Sequence, residues 1–141
     1  MGIERQFLED EPATIAAGKG IAAGLKPGDL VLLQGGLGAG KTTLARAIVR
    51  TLADDPLMEV PSPSFALVQP YETPNALILH ADLYRLAHEG DISELGLFDR
   101  PEAIVLIEWP ERVPALMAQA SVFVRLDIPA DGVGRAVEIA R

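Results

Sequence analysis

Gly35, Gly40, Lys41 and Thr42 occupy the four fixed positions of G-x-x-x-x-G-K-[ST]. The spacing suits the capture of a polyphosphate. Glycines let successive backbone N–H groups turn inward around phosphate oxygens without a Cβ in the way. A helix opening near Gly40 adds unpaired N–H groups and the positive end of its dipole. Lys41 then reaches the terminal phosphates, and the Thr42 hydroxyl takes a position on Mg²⁺. With this composition, a chance match to the four positions arises roughly once per thousand such chains. The flanks make chance rarer still: residues 30–33 are strand-like, and Leu44, Ile48, Val49 and Leu52 continue a helical stripe. Binding of a nucleoside triphosphate is the expectation.

Such a site also needs an acid at the end of a neighbouring strand, holding Mg²⁺ directly or through water. Two carboxylates qualify. Glu108 follows the apolar run 103–107, and Asp82 follows 76–79 with His80 and Ala81 between. Glu108 ends the more apolar run and is read as the Mg²⁺-shell acid; Asp82 is read as the group that orients the attacking water. His80 alternates with Asp82 on one strand face, where a hydrogen-bonded structural role and a catalytic role both stand. Trp109, the only tryptophan, is either a plug under the sheet end or a wall near the phosphates or a partner. Arg85 is a surface residue or a phosphate or partner contact, and Glu111 reads as a helix N-terminal acid. Ser62 or Ser64, between the P-loop helix and a hairpin, suits a switch whose hydroxyl closes onto Mg²⁺ and the γ-phosphate. The chain has no N-K-x-D guanine loop, which favours ATP. Residues 85–100 hold only Arg85 and Arg100, a poor lid for a small-molecule kinase.

The surrounding pattern supplies the elements that position these groups. Residues 6–8 read as a short edge strand. Residues 12–25 read as a helix with Ile15, Gly18, Ala22 and Leu25 on one face, weakened by Gly18, Gly20 and Gly24. A turn at 26–29 leads into the P-loop strand, and 41–53 form the P-loop helix. Pro61 and Pro63 keep 60–65 extended. Strands at 65–71 and 76–83 are joined by a link short enough to require an antiparallel hairpin. Asp91 followed by Glu94 predicts a capping box for a short helix through Leu97. Residues 103–107 read as a strand covered on both faces, and 122–128 pairs with 136–139. The fold class is α/β: a P-loop NTPase-like mixed, mostly parallel sheet flanked by helices, with an antiparallel hairpin. A single ATPase domain spans 1–141.

Composition narrows the partners. The chain of 141 residues carries 20 acidic and 12 basic side chains, a formal charge of −8. That balance disfavours unaided binding to nucleic acid, which needs clustered Lys and Arg. Without cysteine there is no disulfide framework and no thiolate metal site. Glu4, Glu9, Asp10 and Glu11 give the start the wrong charge for a secretory or transit peptide. No apolar run approaches the ~20 residues of a membrane span. A soluble, cytoplasmic protein is expected.

In order and spacing the motifs resemble the TsaE-type ATPases of the bacterial tRNA threonylcarbamoyladenosine synthesis machinery. The resemblance is carried by Leu37-Gly-Ala-Gly-Lys-Thr-Thr43, by Ser62-Pro-Ser-Phe65 with Leu67-Val68 and Pro70-Tyr71, by His80-Ala-Asp-Leu-Tyr-Arg-Leu86, by Glu94-Leu-Gly-Leu97 and by Ile107-Glu-Trp-Pro-Glu111. Together these cover nearly the whole chain. The resemblance implies binding of ATP with Mg²⁺ and weak ATPase activity. It also implies action on a TsaB–TsaD-type complex that transfers threonylcarbamoyl to the adenosine beside the tRNA anticodon, with tRNA reached through that complex. It places Thr42 and Glu108 in the Mg²⁺ shell and makes Asp82 necessary for catalysis alongside Lys41 and Glu108. Thr14 falls near the base and Arg135 near the nucleotide. The nucleotide-binding set is then Thr14, Leu37, Gly38, Ala39, Gly40, Lys41, Thr42, Thr43, Ser64, Trp109, Glu111 and Arg135. Two positions depart from the family pattern. Gly36 stands where Asp is usual, removing a carboxylate, and Ser64 stands where Thr is usual, keeping the hydroxyl and losing the methyl. Two other readings compete: a docking module with incidental hydrolysis, and a small-metabolite kinase.

Overall fold

The computed structural model describes residues 2–64 and 67–141. Its elements are β1 (Ile3–Leu8), α1 (Glu11–Ala23), β2 (Leu30–Gly35), α2 (Lys41–Ala53), β3 (Val68–Glu72), β4 (Leu77–Asp82), β5 (Ile104–Glu108), β6 (Val122–Asp127) and β7 (Arg135–Ala140). The strands form one sheet in the order β1-β7-β6-β2-β5-β4-β3. Its centre, β6-β2-β5-β4, is parallel, while β3 folds back antiparallel on β4 and β1 and β7 run antiparallel at the other edge. The hairpin and the terminal pair are thus as expected, and β1 is longer. Phe65, where the hairpin's first strand was expected to start, lies outside the described residues.

Parallel central strands must be covered on both faces, so they read as unbroken apolar runs. Val31, Leu33, Ile78, Ile104 and Leu106 pack on the face that α1 and α2 cover, together with Ile21, Leu44 and Ile48. The alternating set Leu30, Leu32, Leu79, Val105 and Ile107 packs on the other face against Leu83, Leu97, Val113 and Leu116. Each such fully buried aliphatic side chain contributes roughly 1.5–3 kcal/mol.

α1 starts where Asp10 accepts the Ala13 N–H at 3.0 Å. Its buried row is Thr14, Gly18, Ile21 and Ala22, and Ile15 is only half-buried, a small rotation from the expected face. Gly18 explains the rotation. A Cβ there would meet Ala47 Cβ at 2.6 Å, so the two helices touch along their smallest side chains and Ile15 is displaced to the flank. The expected capping box at Asp91 is shifted by one turn. His88 is the cap of a 3₁₀ segment, Glu89–Leu95, and Asp91 is the returning acid, accepting the His88 N–H at 3.2 Å. Gly96 at φ 68° ends the segment before the buried Leu97.

Candidate active site

In open parallel sheets the carboxyl ends of the strands form the natural binding rim. Here β2, β4 and β5 end side by side at Gly35, Asp82 and Glu108. Gly40 caps α2 at φ 104°, a left-handed conformation that a side chain resists, and so turns the loop straight into the helix. Lys41 is 5% exposed, and its Nζ donates to the carbonyls of Gly35 at 2.6 Å and Gly36 at 2.8 Å. The ammonium also lies 4.2 Å from the centre of the Trp109 ring. Burial lowers its pKa, opposed by the charges of Glu108, Glu111 and Asp82.

The acidic side is assembled by strand alternation. His80, Asp82 and Glu108 share the helix-covered face with Ile78 and Leu106, and Asp82 stands directly opposite Glu108 in the ladder. Glu108 is 2% exposed; the Thr42 hydroxyl donates to it at 2.9 Å and 3.1 Å, and His80 Nε2 lies 2.6 Å away. Asp82 is 5% exposed and accepts the Tyr84 N–H at 2.9 Å. Burial raises its pKa above the ordinary carboxylate value; the Tyr84 hydrogen bond opposes this and Glu108 reinforces it. A hydroxyl beside a carboxylate is a hard-oxygen donor pair suited to Mg²⁺. No cluster of three or more His, Cys, Asp or Glu that could hold a metal occurs among the described residues.

Two clefts follow the loop. One, of about 420 Å³, is lined by Lys41, Thr42, Ser62, Ser64, Asp82, Tyr84, Arg85, Glu108 and Trp109. The other, of about 300 Å³, is lined by Leu8, Asp10, Thr14, Gly38, Thr43 and Arg135.

The family model for "Threonylcarbamoyl adenosine biosynthesis protein TsaE" matches residues 8–137. The chain belongs to the TsaE family. Among relatives described as tRNA threonylcarbamoyladenosine biosynthesis protein TsaE, that of Rickettsia felis is 39% identical over 123 residues, covering 86% of this chain and 71% of its own. The Haemophilus influenzae relative is 34% identical, covering 86% and 80%, and the Aquifex aeolicus relative 39%, covering 78% and 79%. The solved structure described as "Crystal structure of Bacillus subtilus YdiB" aligns at TM-score 0.74 and 22% identity, covering 98% of this chain and 84% of that one, which shows the same fold. The chain's role therefore lies in tRNA threonylcarbamoyladenosine biosynthesis.

In this TsaE-family chain the expected residues gather on the two clefts, with Glu111 outside both. Arg135 donates from Nη2 to the Gly38 carbonyl at 3.0 Å, pinning the start of β7 to the loop. Thr14 Oγ1 donates to the Asp10 carbonyl at 3.4 Å. Ser62 and Ser64 share a hydrogen bond at 2.9 Å. Glu111 is exposed, on the short 3₁₀ turn Pro110–Arg112, and reaches Lys41 by charge alone. Leu37 stands 70% exposed at the loop tip. Trp109 lines the cleft and also packs against the apolar cluster beneath the sheet end, its ring tilted 52° to that of Tyr84 with 4.7 Å between centroids. Tyr84 was missed, although its place two residues beyond Asp82 marked the same rim. Asp10 was also missed; its N-cap role was readable from the following Glu11-Pro12.

Proposed function

We propose that this chain binds ATP with Mg²⁺ at the P-loop and hydrolyses it weakly. On this reading it supports formation of the threonylcarbamoyl group on the tRNA adenosine beside the anticodon, working with a TsaB–TsaD-type complex in the cytoplasm. The observation that carries the reading is the convergence of Lys41, Thr42, Asp82 and Glu108 on one cleft, with Thr42 Oγ1 2.9 Å from Glu108. Among the described residues no helix is long and apolar enough to cross a membrane.

Each residue has a task in that chemistry. Lys41 exchanges the carbonyls of Gly35 and Gly36 for terminal phosphate oxygens, which are stronger partners for a buried ammonium. Thr42 and Glu108 would hold Mg²⁺, which when bound would neutralise charge on the phosphates. Asp82 orients the water that attacks the γ-phosphorus, giving ADP and inorganic phosphate. The Ser62–Ser64 segment lies where a hydroxyl meets the same cleft. A kinase reading loses support from Arg100, whose guanidinium is paired with Glu102 at 2.7 Å.

Isothermal titration with ATP tests the site. Saturable binding that tightens with Mg²⁺ is expected, and Lys41→Ala should weaken it about 10- to 100-fold through loss of a contact worth roughly 1.5–3 kcal/mol. Equal ATP affinity in parent and variant overturns the assignment.

A further inference from the structure

His80 is a fully buried polar residue to which the chemistry above gives no task. Its side chain is fully enclosed, its Nε2 lies 2.6 Å from Glu108 Oε2, and its Nδ1 is buried with no hydrogen-bond partner among the described residues. A buried N–H without an acceptor costs about 1–3 kcal/mol, so the ring N–H that has an acceptor in reach, at Nε2, is the one that donates to Glu108. The same carboxylate receives the Thr42 hydroxyl. Donors from β4 and α2 thus hold one carboxylate at the end of β5. Register makes this possible: His80 stands opposite Leu106, so its ring needs to reach only two residues along the neighbouring strand.

We propose that His80 is a positioning residue for the Mg²⁺ shell, fixing the Glu108 carboxylate through Oε2 so that Oε1 stays turned toward Thr42. The proposal rests on the nucleotide reading above. Groups that orient a metal-shell residue typically change metal affinity 10- to 100-fold when removed. A threonine oxygen that takes a cation still donates its own proton to Glu108, and the His80 hydrogen bond limits how far that carboxylate swings.

The experiment measures affinity for a non-hydrolysable ATP analogue across a Mg²⁺ series and in EDTA. His80→Leu removes the donor. His80→Gln places an amide N–H near the Nε2 position, whereas His80→Asn places one near Nδ1, short of Glu108. The Leu and Asn variants should need about 10-fold more Mg²⁺ for the half-maximal effect, with EDTA affinity within about 2-fold of the parent. The Gln variant should recover most of the difference. Leu and Asn variants that follow the parent's Mg²⁺ curve, or a Gln variant no better than Asn, overturn the proposal. If melting shows the Leu variant unfolded, the Asn and Gln pair decides alone. A parent that binds no analogue under any condition overturns the nucleotide reading itself, a separate result.

Discussion

Asp82 is the residue whose electrostatics reach furthest into measurable behaviour. Burial raises its pKa in the folded protein, so folding favours the neutral carboxyl. Its stabilising contribution is full below the unfolded value of 3.8 and is lost as pH rises through the higher folded value. At neutral pH the ionised carboxylate therefore opposes folding. Asp82→Asn keeps an acceptor for the Tyr84 N–H and should melt a few degrees higher near pH 8, with the gap closing below about pH 4. The same variant should bind ATP and lose most hydrolysis, because the charge matters where phosphate charge shifts. Calorimetric melting across pH checks the first claim; equal melting near pH 8, or a gap that widens in acid, contradicts it. The P-loop residues were legible because they are contiguous in the chain, and Glu108 because it ends the apolar run 103–107. The contact between His80 and Glu108 was not, because it depends on which strands are neighbours and in what register.

Among the elements, α2 does more than present Lys41 and Thr42. Arg46 Nε donates to the Val60 carbonyl at 3.0 Å, and Arg50 Nε to the Met58 carbonyl at 2.8 Å. Four helical residues rise about 6 Å and two extended residues about 6.6 Å, so one helix face matches alternate carbonyls of an extended segment. The latch holds 58–60, the chain that leads into Ser62 and Ser64. Arg46→Ala with Arg50→Ala should cost about 1 kcal/mol per lost bond. The pair should also speed amide exchange in 58–64 while β2 and β5 stay protected. Unchanged exchange in that segment contradicts the latch. Their spacing of four puts the two arginines on one helix face, but their acceptors were not legible, since carbonyls carry no sequence signal. On α1 the expected face holds at Gly18 and Ala22, while Thr14 and Ile21 take the buried places beside them and Ile15, which a hydrophobic stripe favours, is only half-buried. The β3–β4 and β6–β7 pairings followed from short connections, whereas the order β6-β2-β5-β4 and the pairing of β1 with β7 depend on contacts distant in the chain.

For the molecule as a whole, the arrangement of positive charge bears on rate. Arg46 and Arg50 are committed to carbonyls of 58–60 and Arg135 to the Gly38 carbonyl, while Arg85 lines the cleft with the acids. A P-loop site awaiting a cation from a partner hydrolyses slowly, and one supplied in trans adds roughly 10³–10⁵ in rate. The net charge of −8 fits a protein that meets tRNA through a partner rather than alone. Steady-state phosphate release tests this most directly, measured for the isolated protein and then with a purified TsaB–TsaD-type complex, with and without tRNA. Slow release alone and a large acceleration by the complex are predicted, with Glu108→Gln binding ATP yet staying near background in both conditions. Full-speed release by the isolated protein, no response to the complex, or parental rates in Glu108→Gln would contradict the account.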